Sequence, residues 1–422
     1  MPSMRASEPH QNYLAAAQRS CLSKESVMDL ANHVAHAHTK IHHQLQQQVN
    51  AATAVPLVST YPVLQDIWSL INATHCDPLA PFSMAAGRQY VFSTDGSAVL
   101  SYCVCAGWAV VAGDPIGNPD RYIEVLEMFA KQCQEHHWRI AALGVSNRRL
   151  ALWHRARGLG EHLAALPIGR DVVLDVHRFS LAGRGKRNLR QAVQRTRNAG
   201  VTTQIVAEPN IDEHLRAELF EVMANSGRDV DVERGFSMML GSTLSGRYPG
   251  VWLIIARDRA GQAQGFHRYT TAGGGTDLSL DLPWRRQNAL NGIDERLSID
   301  MLHWAKEHGG ERVSLAFAPF PELFSGAEGS GSQHELLRAL AHLGDRFIKL
   351  ESLYRYLRKF DAMDSQRFAV FPRTHAVQAL IVLLRLEFTP RRSSHDGTSV
   401  ARRPTSAPQV INSEHEINRE TT

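Results

Sequence analysis

The chain has 422 residues, 43% of them hydrophobic and 21% charged, with a formal net charge of +4. That balance fits an ordinary soluble globular protein with two core-bearing domains and tails, and it makes the total charge too small to select an anionic partner. No run approaches the ~20 apolar residues that span a bilayer, and the N-terminus lacks the apolar segment of a secretion signal, so the chain reads as cytoplasmic.

Residues 1–55 are rich in Gln, His and Ala without a core pattern. They read as a mobile N-terminal extension, part of 24–50 being helical. Residues 56–182 form a first domain. Tyr90–Phe92, Ala98–Val104 and Trp108–Ala112 are expected as strands, Arg121–His136 as a helix, Ile140–Val145 as a strand and Arg148–Arg157 as a helix. The five cysteines are odd in number and scattered, without a C-x-x-C pair; they are read as structural, in a reducing compartment. Gly113 to Gly117 lacks the Lys and Ser/Thr of a phosphate loop and reads first as a tight turn, with Asp114 left to cap a helix or orient a cation.

The stretch 183–200 holds six Lys/Arg and no Asp or Glu. At helical spacing Arg187, Arg190, Gln194 and Arg197 share one face, while Leu189, Ala192, Val193 and Thr196 make an apolar stripe that can dock on a core. A solvated face would mix charge signs, so one sign suggests phosphates of nucleic acid or lipid; a charged solvent face is the bland alternative.

Residues 201–389 form a second domain with a similar theme. Strand Thr202–Val206, helices Ile211–Asn225 and Phe236–Leu244, and strands Val251–Arg257, Gly265–Thr271 and Thr276–Leu280 are expected in turn. Helix Asn291–His308, strand Arg312–Ala316, a Gly/Ser-rich loop at 325–332, helix His334–Leu343 and strand Phe368–Phe371 follow. Ala376–Leu386 is the most apolar stretch, favoured as a buried terminal helix over one lying at a membrane surface. Residues 390–422 are Ser/Thr/Arg/Pro-rich and read as a disordered tail.

Two segments gather groups with chemistry. Asp281 to Arg286, followed by Asn291 to Arg296, places a carboxylate and an Arg pair before a helix N-terminus. Carboxylate, guanidinium and helix dipole together suit a zwitterionic amino-acid group, with Asp281 or Glu295 on an ammonium and Arg285 facing an oxygen; a structural ion-pair cluster explains the same residues. In Leu350–Phe360 aromatics and cations interleave, so Tyr354 and Lys359 can donate near a reacting ester, or Arg355 and Arg358 contact phosphate, unless this is a core helix with snorkelling cations. No G-x-S-x-G or H-E-x-x-H occurs and the histidines lack metal spacing, which disfavours hydrolytic and metal chemistry.

Taken in order, GDPIG at 113–117, the basic helix at 185–200, SLDLPWRRQNALNGIDE at 279–295, SLAFAP at 314–319 and LESLYRYLRKF at 350–360 resemble the C-terminal catalytic domain of the lysyl- and alanyl-phosphatidylglycerol synthases. The resemblance covers roughly 85–385 and implies an α/β (α+β) fold of two tandem acetyltransferase-like (GNAT-type) domains with mixed, largely antiparallel sheets. It also implies transfer of an aminoacyl group from aminoacyl-tRNA to a hydroxyl of a membrane lipid, with no cofactor. Position by position, Asp281 resembles the family's strand Asp, Asn291, Gly292 and Glu295 its N-G-x-x-E helix start, and Lys359 the Lys of its A-K-F motif.

The resulting assignment has Asp281, Arg285, Glu295, Lys359 and Tyr354 catalytic. Lys186, Arg187, Arg190, Arg197, Asn291, Gly292, Arg355 and Asp114 are substrate-binding, with no metal. Trp284 stands where the family usually has an Arg, which leaves amino-acid and acceptor specificity open. The chain would reach the inner face of the membrane from solution, as a peripheral protein. Diacylglycerol, a sterol, a soluble peptide or another small molecule remain alternative acceptors, and a non-catalytic RNA- or lipid-binding module remains an alternative class.

Overall fold

Strand residues of this chain alternate between two apolar layers. In one half Trp108, Val110 and Ala112 face one cluster while Ala109 and Val111 face another; in the other half Leu253 and Ile255 oppose Ile254 and Ala256. A sheet that is apolar on both faces must be covered on both, and helices cover it. The computed structural model describes residues 60–159, 162–228, 232–233, 235–319, 355–388 and 391–392.

The first half runs α1 (Thr60–Asn72), β1 (Gln89–Phe92), β2 (Ala98–Cys105), β3 (Trp108–Ala112), β4 (Ile116–Gly117), α2 (Tyr122–Glu135), β5 (Arg139–Ser146), α3 (Leu150–Arg155) and β6 (Leu163–Asp175). The second runs α4 (Arg187–Asn198), β7 (Thr202–Ala207), α5 (Glu213–Ala224), β8 (Val232–Glu233), β9 (Val251–Arg257), β10 (Ala263–Ala272), β11 (Asp277–Arg285) and α6 (Ile293–Glu307). It closes with β12 (Arg312–Pro319), β13 (Met363–Pro372), α7 (Ala376–Phe388) and β14 (Arg391–Arg392).

One 12-stranded sheet, ordered β1-β2-β3-β5-β13-β6-β12-β11-β10-β9-β7 with β4 beside β2, joins both halves. Its pairs are antiparallel except β3 with β5 and β11 with β12, each bridged by a crossover helix, α2 or α6. The halves share a sheet because their last strands cross over: β6 leaves β5 to pair with β12, and β13 leaves β12 to pair with β5. β6 and β13 then pair with each other along Leu163–Val172.

Each parallel pair ends early, at Ala112 opposite Leu143 and at Ser279 opposite Ser314. Asp114 and Asp281 lie two residues beyond those ends, in equivalent places of the two halves, and each is paired with a buried arginine. Arg367 on β13, fully buried, reaches Asp77 at 2.7 Å, Asp171 at 2.8 Å and Asp114 at 3.7 Å, and donates to the Gly144 carbonyl at 3.0 Å. This single cation ties α1's following loop, β3, β5, β6 and β13 together.

Most expected elements form, with informative exceptions. The helix expected at Phe236–Leu244 is absent: its backbone is bonded by side chains instead. Leu240 N–H donates to Asp281, the Gly241 carbonyl accepts from Arg268, and Phe236 and Ser237 N–H donate to Glu387. Ser242 and Leu244 take φ of 47° and 62°, which a helix does not allow. β11 runs on to Arg285, so Asp281 sits inside a strand rather than at its end. β6 and α1 form where no element was expected. α7 is a buried terminal helix, with Ala376, Ala379, Leu380 and Leu383 packed against Trp108 and Val110. The loop expected at 325–332, helix His334–Leu343, the 1–55 extension and the 393–422 part of the tail lie outside the described residues.

Burial pushes Asp114 and Asp171 up to about 6, with the nearby Asp77 charge adding and Arg367 only partly opposing. A carboxyl raised in the folded state binds its proton more tightly there than in the unfolded chain. Its contribution is therefore fully present below about pH 4 and lost as pH rises through 6. In urea titrations Asp114→Asn, which cannot ionise, should lose less stability than the parent between pH 4 and 7, by on the order of 2–3 kcal/mol. Parallel pH profiles of the two proteins contradict this.

Candidate active site

The left-handed backbone of Gly292, with φ of 107°, starts α6. A Cβ there would lie 2.9 Å from the Ala192 carbonyl oxygen, so the glycine is what lets α4 and α6 touch. The start of α6 carries Asp294 and Glu295, carboxylates that suit the positive end of a helix dipole.

Around that helix start a polar network assembles on one face of the sheet. Glu295, almost buried, pairs with Lys359 at 2.5 Å. Asp294 accepts from His267 Nε2 at 3.3 Å and pairs with Arg285 at 3.3 Å. Burial works against ionising Asp294, but the hydrogen bond from His267, with Arg285 and Arg228, outweighs it and holds the carboxyl below its ordinary value. The Tyr356 hydroxyl lies 2.6 Å from Ser298 Oγ and donates to the Asp294 carbonyl at 3.3 Å, and Tyr269 reaches the same Ser298 at 3.5 Å. Burial first, and neighbouring charge, push both phenols up, so they remain neutral donors.

Helix α4 packs against this network. Leu189, Ala192, Val193 and Thr196 are buried, as the periodicity expects, and Arg187 and Arg197 are exposed with no hydrogen-bond or carboxylate partner among the described residues. Lys186 donates to the Phe360 carbonyl, and Arg195 to the Asn291 carbonyl at 3.3 Å. Arg190 is drawn back onto the carbonyls of Leu181 and Gly183.

The structure thus gathers Arg285, Glu295, Lys359, Asn291, Gly292 and Lys186, with the Gly292 backbone serving helix packing. Two expected residues stand elsewhere. Asp281 faces away from His267: its neighbour across the strand, Arg268, is buried with Glu208 at 2.5 Å and Asp281 at 2.8 Å. Burial, only partly offset by Arg268, pushes Asp281 up to about 6. The carboxylate is thus engaged by a buried guanidinium, and we propose a structural role for it. Asp114 belongs to the Arg367 cluster of the other half. Arg355 is exposed on the helical turn 355–358, and Tyr354 lies outside the described residues. Trp284 is buried among Phe266, Leu253 and Leu219, its Nε1 unpartnered, with the Arg228 guanidinium 5.6 Å above its ring.

Sequence reasoning missed His267, Asp294 and Arg228. A His-Arg pair inside the apolar strand Phe266–Thr271 is the available signal, since buried strands rarely carry two such groups without partners. Arg228 carries none, being brought over Trp284 by tertiary packing.

The mixed α/β architecture combines a largely antiparallel sheet with crossover helices. Residues 68–371 match the model of the phosphatidylglycerol lysyltransferase C-terminal family, and the chain belongs to that family. It is 53% identical over 337 residues to an MprF-like domain protein of Mycobacterium tuberculosis, covering 79% of this chain and 69% of that one. It is 32% identical over 302 residues to a lysylphosphatidylglycerol biosynthesis bifunctional protein of Gordonia bronchialis, covering 70% of this chain but only 26% of that protein. Its fold matches L-PGS from Bacillus licheniformis, with a TM-score of 0.64 at 20% identity over 78% of this chain and 97% of that one. The C-terminal domain of a putative lysylphosphatidylglycerol synthetase from Agrobacterium fabrum also scores 0.64, at 19% identity over 78% and 98%.

Asp281→Asn should lower unfolding free energy by about 1–3 kcal/mol, because it weakens a buried charge-assisted bond. Lys359→Ala, which opens a pair at a partly exposed end, should cost about 1 kcal/mol or less. Urea unfolding of the two variants checks the order; Lys359→Ala being the more damaging would reverse the assignment of structural and site roles.

Proposed function

We propose that the chain moves an aminoacyl group from aminoacyl-tRNA to a hydroxyl of a phosphatidylglycerol-like membrane lipid. The observation that carries this reading is the contact between an unopposed cationic face and a buried polar network. Arg187 and Arg197 are exposed on α4, whose Lys186 and Arg195 hold the carbonyls of Phe360 and Asn291 beside Glu295 and Lys359. Phosphates are the partners such a face selects, and α4 packs against α6, whose start carries the network.

The chemistry asks little of the protein. The ester on the terminal ribose is already activated, so alignment of the lipid hydroxyl and stabilisation of an oxyanion supply most of the rate. Arg285 and Lys359 are proposed as the donors nearest the reacting ester, with Glu295 holding Lys359 in place and Arg187 and Arg197 binding substrate phosphate. Residues 56–182 and 201–389 are proposed as two acetyltransferase-like halves linked by the basic helix.

No described helix is long and apolar enough to cross a membrane. We place the protein at the cytoplasmic membrane surface, held by basic residues and the lipid itself. Purified protein, charged tRNA and phosphatidylglycerol vesicles should yield an aminoacyl lipid, and ribonuclease should abolish it; product that survives ribonuclease refutes the tRNA donor. Replacing Arg187 and Arg197 with Ala should weaken tRNA binding about equally for different tRNA sequences. It should also flatten the dependence of log affinity on log salt by about one unit per lost phosphate contact. An unchanged salt slope removes α4 from the binding surface. Flotation with anionic vesicles separates a lipid acceptor from a soluble one, since a soluble-acceptor enzyme stays unbound at physiological salt.

A further inference from the structure

His267 is fully buried on β10, and its two ring nitrogens differ sharply. Nε2 lies 3.3 Å from Asp294 Oδ1, while Nδ1 is buried with no hydrogen-bond partner. An unpaired polar atom in the interior is costly, and native structures keep few of them without a use. The Asp294 carboxylate can only accept, so in the neutral imidazole the proton sits on Nε2. That leaves a lone pair on Nδ1, buried and without a hydrogen-bond partner. Asp294, bonded to Nε2, and its partner Arg285 have side chains 26% and 41% exposed, so the Nε2 side of the ring lies one side chain beneath the surface.

We propose that His267 is the general base of the transfer reaction, taking the proton of the acceptor hydroxyl on Nδ1, with Asp294 as the positioning residue that sets its tautomer. The inference rests on the acyl-transfer reading above. As the hydroxyl oxygen bonds to the ester carbonyl carbon, its proton passes to Nδ1; as the bond from that carbon to the ribose oxygen breaks, the proton is returned to the departing ribose oxygen. No oxidant, metal or further co-reactant is consumed. The arrangement is one of base and orienting carboxylate, and the entering hydroxyl replaces an unpaired lone pair by a hydrogen bond. Arg285, on the far side of Asp294, keeps the carboxylate charged while the imidazolium forms.

Two measurements test it. Nitrogen NMR of ring-labelled histidine in the parent should show His267 protonated at Nε2 and bare at Nδ1, with Asp294→Asn changing that distribution; a proton resident on Nδ1 overturns the proposal without any substrate being added. In the tRNA- and lipid-dependent assay, His267→Gln and His267→Asn should lower kcat about a hundredfold to ten-thousandfold with charged-tRNA affinity unchanged. Either variant, shown folded by its thermal transition, suffices. A folded variant within about threefold of an active parent overturns the base role alone, whereas a parent that makes no aminoacyl lipid overturns the functional reading and the base role with it.

Discussion

Two buried guanidinium groups hold this molecule in its shape. Arg367 and Arg268 each stand where a parallel strand pair parts, and each is surrounded by carboxylates that would be untenable without it. A sheet that splays exposes backbone and loses ladder bonds on the inner sides of the opening. Arg367 answers that loss directly, donating to the Gly144 carbonyl on β5 while Asp114 takes the Ser146 N–H; Arg268 and Asp281 instead bond the Gly241 carbonyl and Leu240 N–H of the 236–244 segment. Removing either cation would leave two or three carboxylates buried without compensation, a cost of about 3–5 kcal/mol or more.

The same arrangement explains why the halves are not independent. Arg367 lies on β13, a strand late in the second half that pairs with β5 of the first. Its carboxylate partners come from β6, the turn after β3 and the segment after α1, so the first half cannot complete its charge balance until β13 arrives. Contacts of such sequence separation close late and slowly.

Much of this fold was legible from residue patterns: the meanders, both crossover helices and the amphipathic α4 follow from periodicity alone. β6 was not, because a strand at the centre of a sheet with alternating half-buried positions, Leu163 to Asp175, contains Pro167 and Gly169 and reads locally as a loop. The Phe236–Leu244 segment misleads in the opposite way. Its apolar spacing is real, with Phe236, Leu240 and Leu244 all buried, yet the carboxylates of Glu387, half-buried, and Asp281, buried, bond its N–H groups and pull it out of helix. Tertiary partners override local preference where they supply the hydrogen bonds a helix would have made.

The site was half legible for a related reason. Residues on the N-terminal turn of a helix announce themselves through motif and dipole, which is how Glu295 and its neighbours stand out. Asp281 and Asp294 are both acidic residues near that turn, and only their partners tell them apart. Asp281 meets a guanidinium shared with Glu208 inside a sealed core, so its charge is consumed by structure. Asp294 meets an imidazole and a partly exposed guanidinium, so its charge can be used to orient a group whose protonation changes. Catalytic potential in this protein therefore depends less on which carboxylate a motif contains than on whether its cation is a permanent one. A guanidinium beside a carboxylate fixes a shape; an imidazole with a free nitrogen beside a carboxylate can pass a proton.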